Sequence, residues 1–183
     1  MCHSEFLQIY SNLVFWEEII SHKVDSDFAG RDIDTVRTHQ CKLQPEYAAY
    51  LADIKDVDAF IFDVFSNPKA EEIYDRFDAF VDIVRKAHPD VPMIFLQTER
   101  RETRNFSLAR EKFESEKQSA AAKVIRERMK SDKDIYFITS EDFLGYEHIA
   151  TVDGSHPSDL GFTYMLESIS PKIRKIFRKY GIR

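Results

Sequence analysis

A carboxylate and an imidazole stand three residues apart near the end of the chain, within residues 153–162 (DGSHPSDLGF). If this loop turns back on itself, Asp153 can orient the His156 ring and stabilise the imidazolium that forms when the ring accepts a proton. The alternative is structural, with Asp153 capping the turn and His156 on the surface. The spacing therefore predicts general-base chemistry, and such a base needs a nucleophile elsewhere in the chain.

Length and composition indicate one soluble domain that extends over residues 1–183. A chain of this length is long enough to bury a core. Its hydrophobic fraction of 43% and charged fraction of 32% are typical of soluble globular proteins. The 26 basic and 32 acidic residues give a formal net charge of −6, which offers no electrostatic basis for binding nucleic acid.

Two cysteines, Cys2 and Cys41, are too few for a disulfide framework, and the sequence has no CxxC or Cys/His metal spacing. It therefore indicates no metal and no cofactor. No apolar run approaches the roughly 20 residues that span a bilayer, and the start of the chain lacks the features of a signal peptide. We expect a cytoplasmic protein with no membrane partner, although a removed leader would leave no trace. The oligomeric state is not indicated.

The start of the chain allows two structures. Apolar residues recur at helical spacing from Phe6 to Ile20, which predicts a helix over residues 4–23 with Ser4 as its N-cap. The alternative makes Glu5–Tyr10 a strand that ends at Ser11.

Strands and helices alternate along the rest of the chain. The sequence predicts a short strand over residues 32–38 and buried strands over residues 59–65, 92–97 and 135–139. Between and after them it predicts helices over residues 44–54, 68–88, 107–130 and 158–169. Residues 140–144 form a short helix or turn, and Pro171 starts or kinks a last segment to Tyr180. This alternation predicts an α/β fold with a mostly parallel sheet and helices on both faces.

Candidate site residues follow the predicted strands, because chemistry in open parallel sheets gathers beyond the carboxyl ends of the strands. Asn67 follows one strand, and its amide can donate a hydrogen bond to a developing oxyanion; an Asx turn before Pro68 is the structural alternative. Glu99 and Arg100 follow the next strand. They are candidates for binding a polar or anionic group of a substrate, with a solvated salt-bridge cluster as the alternative.

Residues 151–162 (TVDGSHPSDLGF) resemble the last block of the SGNH (GDSL-like) hydrolase superfamily, in particular the bacterial esterase-like branch whose block is DGxHPxDxGF. Three further segments resemble the same branch over about residues 42–177. Residues 42–46 (KLQPE) are similar to its K-L-E-P-E, residues 62–67 (FDVFSN) to its L-D-x-x-P-N strand end, and residues 96–100 (LQTER) to its strand and acid-Arg segment.

This resemblance implies a three-layer α/β/α sandwich with a flavodoxin-like sheet. It also implies Ser-His-Asp hydrolysis of small acyl or acetyl esters, carbohydrate-linked esters among them, so that the partner is a small-molecule ester. Carried over to this sequence, His156 is the base, Asp153 orients it, and Asn67 donates to the oxyanion.

The sequence departs from the family at two blocks. The second block, which is glycine-rich in the family, corresponds to residues 36–41 (VRTHQC) and has no glycine here. The first block should carry the nucleophilic serine after a buried strand, but only three residues precede Ser4, the nearest candidate. Ser11 serves only if Glu5–Tyr10 is a strand, and Cys2 is a third candidate. The alternative to an esterase is a catalytically impaired or truncated SGNH-fold protein that acts as a binding module.

Overall fold

In the part of the chain that the structure describes, the sheet has five parallel strands. The computed structural model describes residues 41–182 with their side chains and the backbone of residues 5–10 and 32–37. The strands are β1 (Glu5–Tyr10), β2 (Asp32–Arg37), β3 (Val57–Asp63), β4 (Met93–Leu96) and β5 (Ile135–Ile138). Their spatial order is β2-β1-β3-β4-β5, and every neighbouring pair is parallel. This is the flavodoxin-like order, so the predicted α/β fold with a parallel sheet is confirmed.

Four helices connect or follow the described strands. They are α1 (Pro45–Asp53), α2 (Ala70–Ala87), α3 (Leu108–Arg128) and α4 (Asp159–Phe177), with short 3-10 helices at Glu102–Phe106 and Arg178–Tyr180. The predicted helices and strands from residue 32 onward agree with these bounds to within a few residues, except that α4 extends to Phe177 instead of ending at residue 169. Residues 140–144 form a turn rather than a short helix. In the part of the chain that the structure describes, no helix is long and apolar enough to cross a membrane.

Alternation along β3 divides the interior into two cores. Phe60 and Phe62 point to the face covered by α1, α2 and α3, whereas Ala59 and Ile61 point to the face covered by α4. Successive side chains of a strand lie on opposite faces, so a strand that is apolar at every position must be covered on both sides. The result is three layers, as the family resemblance implies.

The prediction of a helix at the start of the chain is wrong for Glu5–Tyr10, which forms β1. Six residues are too few to separate a helical from an alternating pattern. Pairing decides the outcome, because β1 lies between β2 and β3 and its backbone bonds to both. The predicted helix also included residues 11–23, which lie outside the described residues.

Pro171 does not start a separate segment, because α4 continues through it to Phe177. A proline inside a helix removes one backbone hydrogen bond. The buried side chains of Ile169, Ile173 and Ile176 continue the apolar face of α4 on both sides of the proline. Packing of this face against the sheet outweighs the local cost of the lost bond.

Candidate active site

The loop that carries Asp153 and His156 closes on itself. Thr151 pairs with Pro157 across its base, and the Val152 N–H donates to the His156 carbonyl at 2.9 Å. Inside the loop, Asp153 Oδ2 lies 2.7 Å from His156 Nδ1. The other carboxylate oxygen, Oδ1, accepts the backbone N–H groups of Ser155 at 2.9 Å and His156 at 2.8 Å. The loop therefore brings the carboxylate and the ring together, as the sequence predicts.

These hydrogen bonds also determine the protonation of the pair. The backbone and side chain of His156, with the Ser155 N–H, lower the pKa of Asp153 to about 2. An ionised carboxylate only accepts hydrogen bonds, so Nδ1 must be the donor and the neutral ring carries its lone pair on Nε2. Both side chains are 51% exposed, and Nε2 has no hydrogen-bond partner among the residues that the structure describes. The ring is thus oriented and left open to accept a proton.

Gly161 seats this loop on the first turn of α4. The Ser158 N–H donates to the Ala150 carbonyl at 2.9 Å, and the Ser158 hydroxyl caps the helix by accepting the Gly161 N–H at 3.3 Å. A Cβ on Gly161 would lie 2.2 Å from the Ala150 carbonyl oxygen and 3.0 Å from the Pro157 Cβ. The glycine of the DxGF pattern therefore allows close contact between the two ends of the loop and the helix.

The connection after β4 lies against the same loop. The Thr103 N–H donates to the Gly154 carbonyl at 2.9 Å. One residue earlier, Glu102 Oε2 lies 2.8 Å from Nδ1 of His148, which forms a second carboxylate–imidazole pair. The partners are 46 residues apart in sequence, so no local spacing signals the pair. These contacts tie residues 102–103 to both ends of the segment that leads to His156.

A buried ion network holds the backbone just before Asn67. The Ser66 carbonyl accepts Lys117 Nζ at 3.1 Å and Arg101 Nη2 at 3.3 Å. Lys117 lies 2.6 Å from Glu114, and both side chains are almost fully buried. Arg101 in turn pairs with Glu114 and with Glu99, each at 3.2 Å. The network joins the carboxyl ends of β3 and β4 to α3.

Asp63, the last residue of β3, gives this network an excess of negative charge. Asp63 interacts electrostatically with Glu99, Arg101 and Lys117. Together with Glu114, the network therefore has three carboxylates and two cations. Loss of hydration and the charge of Glu99 raise the pKa of Asp63 to about 7, against the lowering effect of Arg101 and Lys117. Burial also raises the pKa of Glu99, opposed by Arg101. Between the unfolded and folded pKa values of Asp63, the folded network therefore holds a proton that the unfolded chain would release.

The predicted site residues are placed as follows. Asn67 directly follows the turn after β3 and is partly buried. Glu99 is 8% exposed and paired with Arg101, whereas Arg100 is exposed and lines a cavity described below. The nucleophile candidates Ser4, Ser11 and Cys2 lie outside the described residues. In the sequence, however, Ser4 precedes the amino end of β1 and Ser11 follows its carboxyl end.

Sequence reasoning missed Lys117 and Glu102 as contributors to the site, and it named Arg101 only as a possible substrate-binding residue beside Glu99 and Arg100. Lys117 and Glu114 belong to a helix that is rich in lysine and glutamate, so their residue types do not distinguish them from the solvent-exposed residues of the same helix. Only the packing of α3 against the end of β3 buries them. Among the described residues, no group of three or more His, Cys, Asp or Glu side chains is placed to hold a metal ion.

Exposed apolar side chains surround these loops. Of the large hydrophobic side chains in the described part of the chain, the five most exposed, at 61% to 91%, all lie on the connections after β4 and β5. They are Phe106, Leu108, Tyr146, Ile149 and Val152. A concentration of exposed apolar surface beside a site marks a contact surface for a ligand or partner.

Comparison with known proteins gives a family match over most of the chain. The model of the GDSL-like lipase/acylhydrolase family matches residues 13–174. A Bacteroides ovatus ATCC 8483 protein designated GDSL-like lipase is similar at 36% identity with a TM-score of 0.86, and the alignment covers 96% of this chain and 54% of that one. No curated protein sequence matches the chain.

Two more distant structures share the fold. A salicylyl-acyltransferase from a tetracycline biosynthetic pathway is 15% identical with a TM-score of 0.73, covering 96% of this chain and 55% of that one. A family 3 carbohydrate esterase from Clostridium thermocellum is 11% identical with a TM-score of 0.63, covering 94% and 98%. The chain thus spans about half the length of the Bacteroides ovatus protein and of the acyltransferase.

We expect Gly161→Ala to disturb the Asp153–His156 loop. The new methyl group must push the Ala150 carbonyl away, and overpacking of this kind costs about 1–3 kcal/mol. Long-range ¹H–¹⁵N spectra of the His156 ring should show loss of the preference for a proton on Nδ1. Gly181→Ala is the control, since a Cβ there meets no atom within 4 Å and only its φ of +71° is strained. Equal effects of the two substitutions on the ring would contradict the role of Gly161.

We expect Asp63→Asn to change how stability depends on pH. The folded pKa of Asp63 is about 7 and the unfolded value is about 4. The folded state therefore binds the extra proton between these values, and stability falls as the pH rises through this window. The amide needs no proton and leaves two carboxylates facing two cations. Urea unfolding from pH 4 to pH 8 should give a flatter profile for the variant, with the largest gain over wild type at pH 8; parallel profiles would refute the assignment.

Proposed function

Because the chain belongs to the GDSL-like lipase/acylhydrolase family, we propose that it is a serine ester hydrolase acting on small acyl esters. Acetyl esters, including carbohydrate-linked ones, are the proposed substrates. The observation that carries the proposal is the 2.7 Å contact between Asp153 and His156 Nδ1, with the carboxylate held by two backbone N–H groups. It supplies two of the three groups that such hydrolysis needs.

In the proposed reaction, His156 Nε2 takes the proton of a serine hydroxyl as the serine oxygen attacks the ester carbonyl. Asp153 stabilises the imidazolium that results, and its own low pKa keeps it ionised throughout. The imidazolium then gives the proton to the departing alcohol, which leaves an acyl-serine. Water then attacks the acyl-serine while His156 accepts a proton from the water. The imidazolium returns this proton to the serine oxygen as the acid leaves.

Asn67 is proposed to donate its side-chain amide to the oxyanion of the tetrahedral intermediate. The Ser66 carbonyl just before it is held by Lys117 and Arg101, so the position of Asn67 depends on the buried ion network. A second donor would come from the backbone after β2, which ends at Arg37. Residues 36–41 contain no glycine, so a side chain would stand where the family's glycine allows the backbone close to the substrate.

The position of β1 favours Ser11 over Ser4 as the nucleophile. Tyr10, the last residue of β1, pairs with Asp63 of β3 and with Arg37 of β2. The strand order reverses between β1 and β3, and ligands of open parallel sheets bind beyond the carboxyl ends at such a point. Ser11 follows this end in the sequence, whereas Ser4 precedes the opposite end. β1 ends directly before Ser11 in the sequence, in the order of strand and then serine that the family resemblance implies.

The proposed substrate class follows from relatives rather than from a bound ligand. The structural relatives include a carbohydrate esterase and an acyltransferase, both distant enough to share only the fold. The exposed apolar side chains after β4 and β5 support an ester with an apolar portion.

We further propose that residues 1–183 form a single domain.

A p-nitrophenyl ester assay tests the proposal with acetate, butyrate and octanoate as acyl groups. His156→Ala and Ser11→Ala should each lower kcat/KM by at least about 10³-fold, as removal of a member of a catalytic triad does. His148→Ala is the comparison variant, because it removes an exposed histidine that pairs with Glu102 and only positions the loop; it should lower kcat/KM far less than His156→Ala does. Ser4→Ala should leave the rate unchanged.

Equal rates for wild type and His156→Ala would contradict the catalytic proposal.

The glycine-free second block favours one other function, a catalytically impaired SGNH-fold binding module. That function predicts no hydrolysis above background for any acyl group, with normal folding of the wild-type chain by circular dichroism.

A further inference from the structure

A polar cavity of about 770 Å³ opens beside the candidate active site. It lies between α3 and the segments that follow β4 and β5, with Gln97 and Ser140 near the ends of those strands. Its volume is within the range of small-molecule sites. Ligands of open parallel sheets bind at this carboxyl edge.

Most residues that line this cavity have polar or charged side chains. Of its fourteen lining residues, only Ala122 is apolar. Ordinary small-molecule pockets have mostly apolar lining residues, so this composition favours a hydrophilic ligand over an acyl chain. Serine, threonine and glutamine side chains in the lining suit hydroxyl groups of a ligand.

The lining carries an excess of positive charge on a chain whose net charge is −6. Five lining residues are basic and two are acidic. Lys130 pairs with Glu127 at 2.6 Å, and Arg104 pairs with Glu111 outside the lining, also at 2.6 Å. Among the described residues, the other three cations form no salt bridge, although Arg100 interacts electrostatically with Glu111; they are Arg100, Lys123 and Arg126.

Hydrogen bonds within the floor of the cavity hold it in shape. Gln97 Oε1 accepts the Ser140 N–H at 3.2 Å. Gln118 donates to the Thr98 carbonyl at 2.8 Å and accepts Arg104 Nη1 at 2.6 Å. These groups bond to one another, which leaves the three cations without a salt bridge as the donors for a ligand. Lys123 and Arg126 also lie over the rings of Tyr74 and Phe137, at 5.4 and 5.7 Å.

We propose that this cavity binds a small hydrophilic anion, a saccharide-sized molecule that carries a phosphoryl or sulfuryl group. Guanidinium and ammonium groups recognise tetrahedral oxyanions through charge-assisted hydrogen bonds. The site is distinct from the Asp153–His156 pair and does not depend on the proposed hydrolysis. The chain from Glu99 to Thr103 connects the two, since Arg100 lines the cavity and Thr103 contacts Gly154.

Isothermal titration calorimetry on the full chain tests this proposal at low, constant ionic strength, because exposed cations are screened by salt. The probes are glucose 6-phosphate, glucose 6-sulfate, glucuronate, inorganic phosphate and glucose. We expect one phosphorylated or sulfated sugar to bind at 1:1 with Kd below about 1 mM. The comparison of the two esters identifies which oxyanion is preferred. Inorganic phosphate should bind more weakly, and glucose should give no saturable signal.

Lys123→Gln/Arg126→Gln should weaken binding of the preferred sugar about tenfold or more, because two charged donors are lost. Lys86→Gln/Arg178→Gln makes the same change in net charge at exposed positions outside the cavity and should change Kd by less than about twofold. His156→Ala should bind as wild type does, which separates this site from the proposed hydrolysis.

Three results would overturn the proposal. The first is no saturable binding of either sugar ester, and the second is equal weakening in the two double variants. The third is tighter binding of glucuronate or of a short single-stranded oligonucleotide than of both sugar esters, which would assign the cavity to another class of ligand.

Discussion

Parallel pairing of β1 with β3 is the constraint on which the rest of the structure depends. It sets the strand order β2-β1-β3-β4-β5 and so directs the carboxyl ends of all five strands to one edge. Tyr10, Arg37 and Asp63 end neighbouring strands in register there. The residues proposed to act in hydrolysis come from connections that leave this edge. Without the central position of β1, the same connections would have no common point to converge on.

The site itself is held by polar interactions around an apolar scaffold. Phe60, Phe62 and Phe95 fix β3 and β4 through stacked ring contacts. Above them, the ion network of Glu99, Arg101, Glu114 and Lys117 fastens the backbone at Ser66. Buried charges are stable only when each is paired and hydrogen-bonded. The third carboxyl, that of Asp63, has no cation left to pair with, and burial raises its pKa to about 7, so that below this pH it is uncharged.

Two kinds of surface meet at the carboxyl edge. Exposed apolar side chains lie on the connections after β4 and β5, whereas the cavity beside α3 is polar and cationic. The segment from Glu99 to Thr103 takes part in the ion network, the cavity and the contact with the Asp153–His156 loop. It therefore couples the three features mechanically.

The sequence by itself determined the alternating α/β order, the carboxylate–imidazole loop and, to within two residues, the buried strands predicted at 59–65, 92–97 and 135–139. Buried strands and amphipathic helices are local patterns, and the Asp153–His156 contact closes over three residues. Tertiary structure decided what depends on distant partners. Glu5–Tyr10 becomes a strand because β2 and β3 pair with it. Lys117 and Glu114 become buried because α3 packs on the end of β3, and His148 meets Glu102 across 46 residues. Such contacts leave no spacing in the sequence, because the energy that selects them comes from burial and pairing in the folded chain.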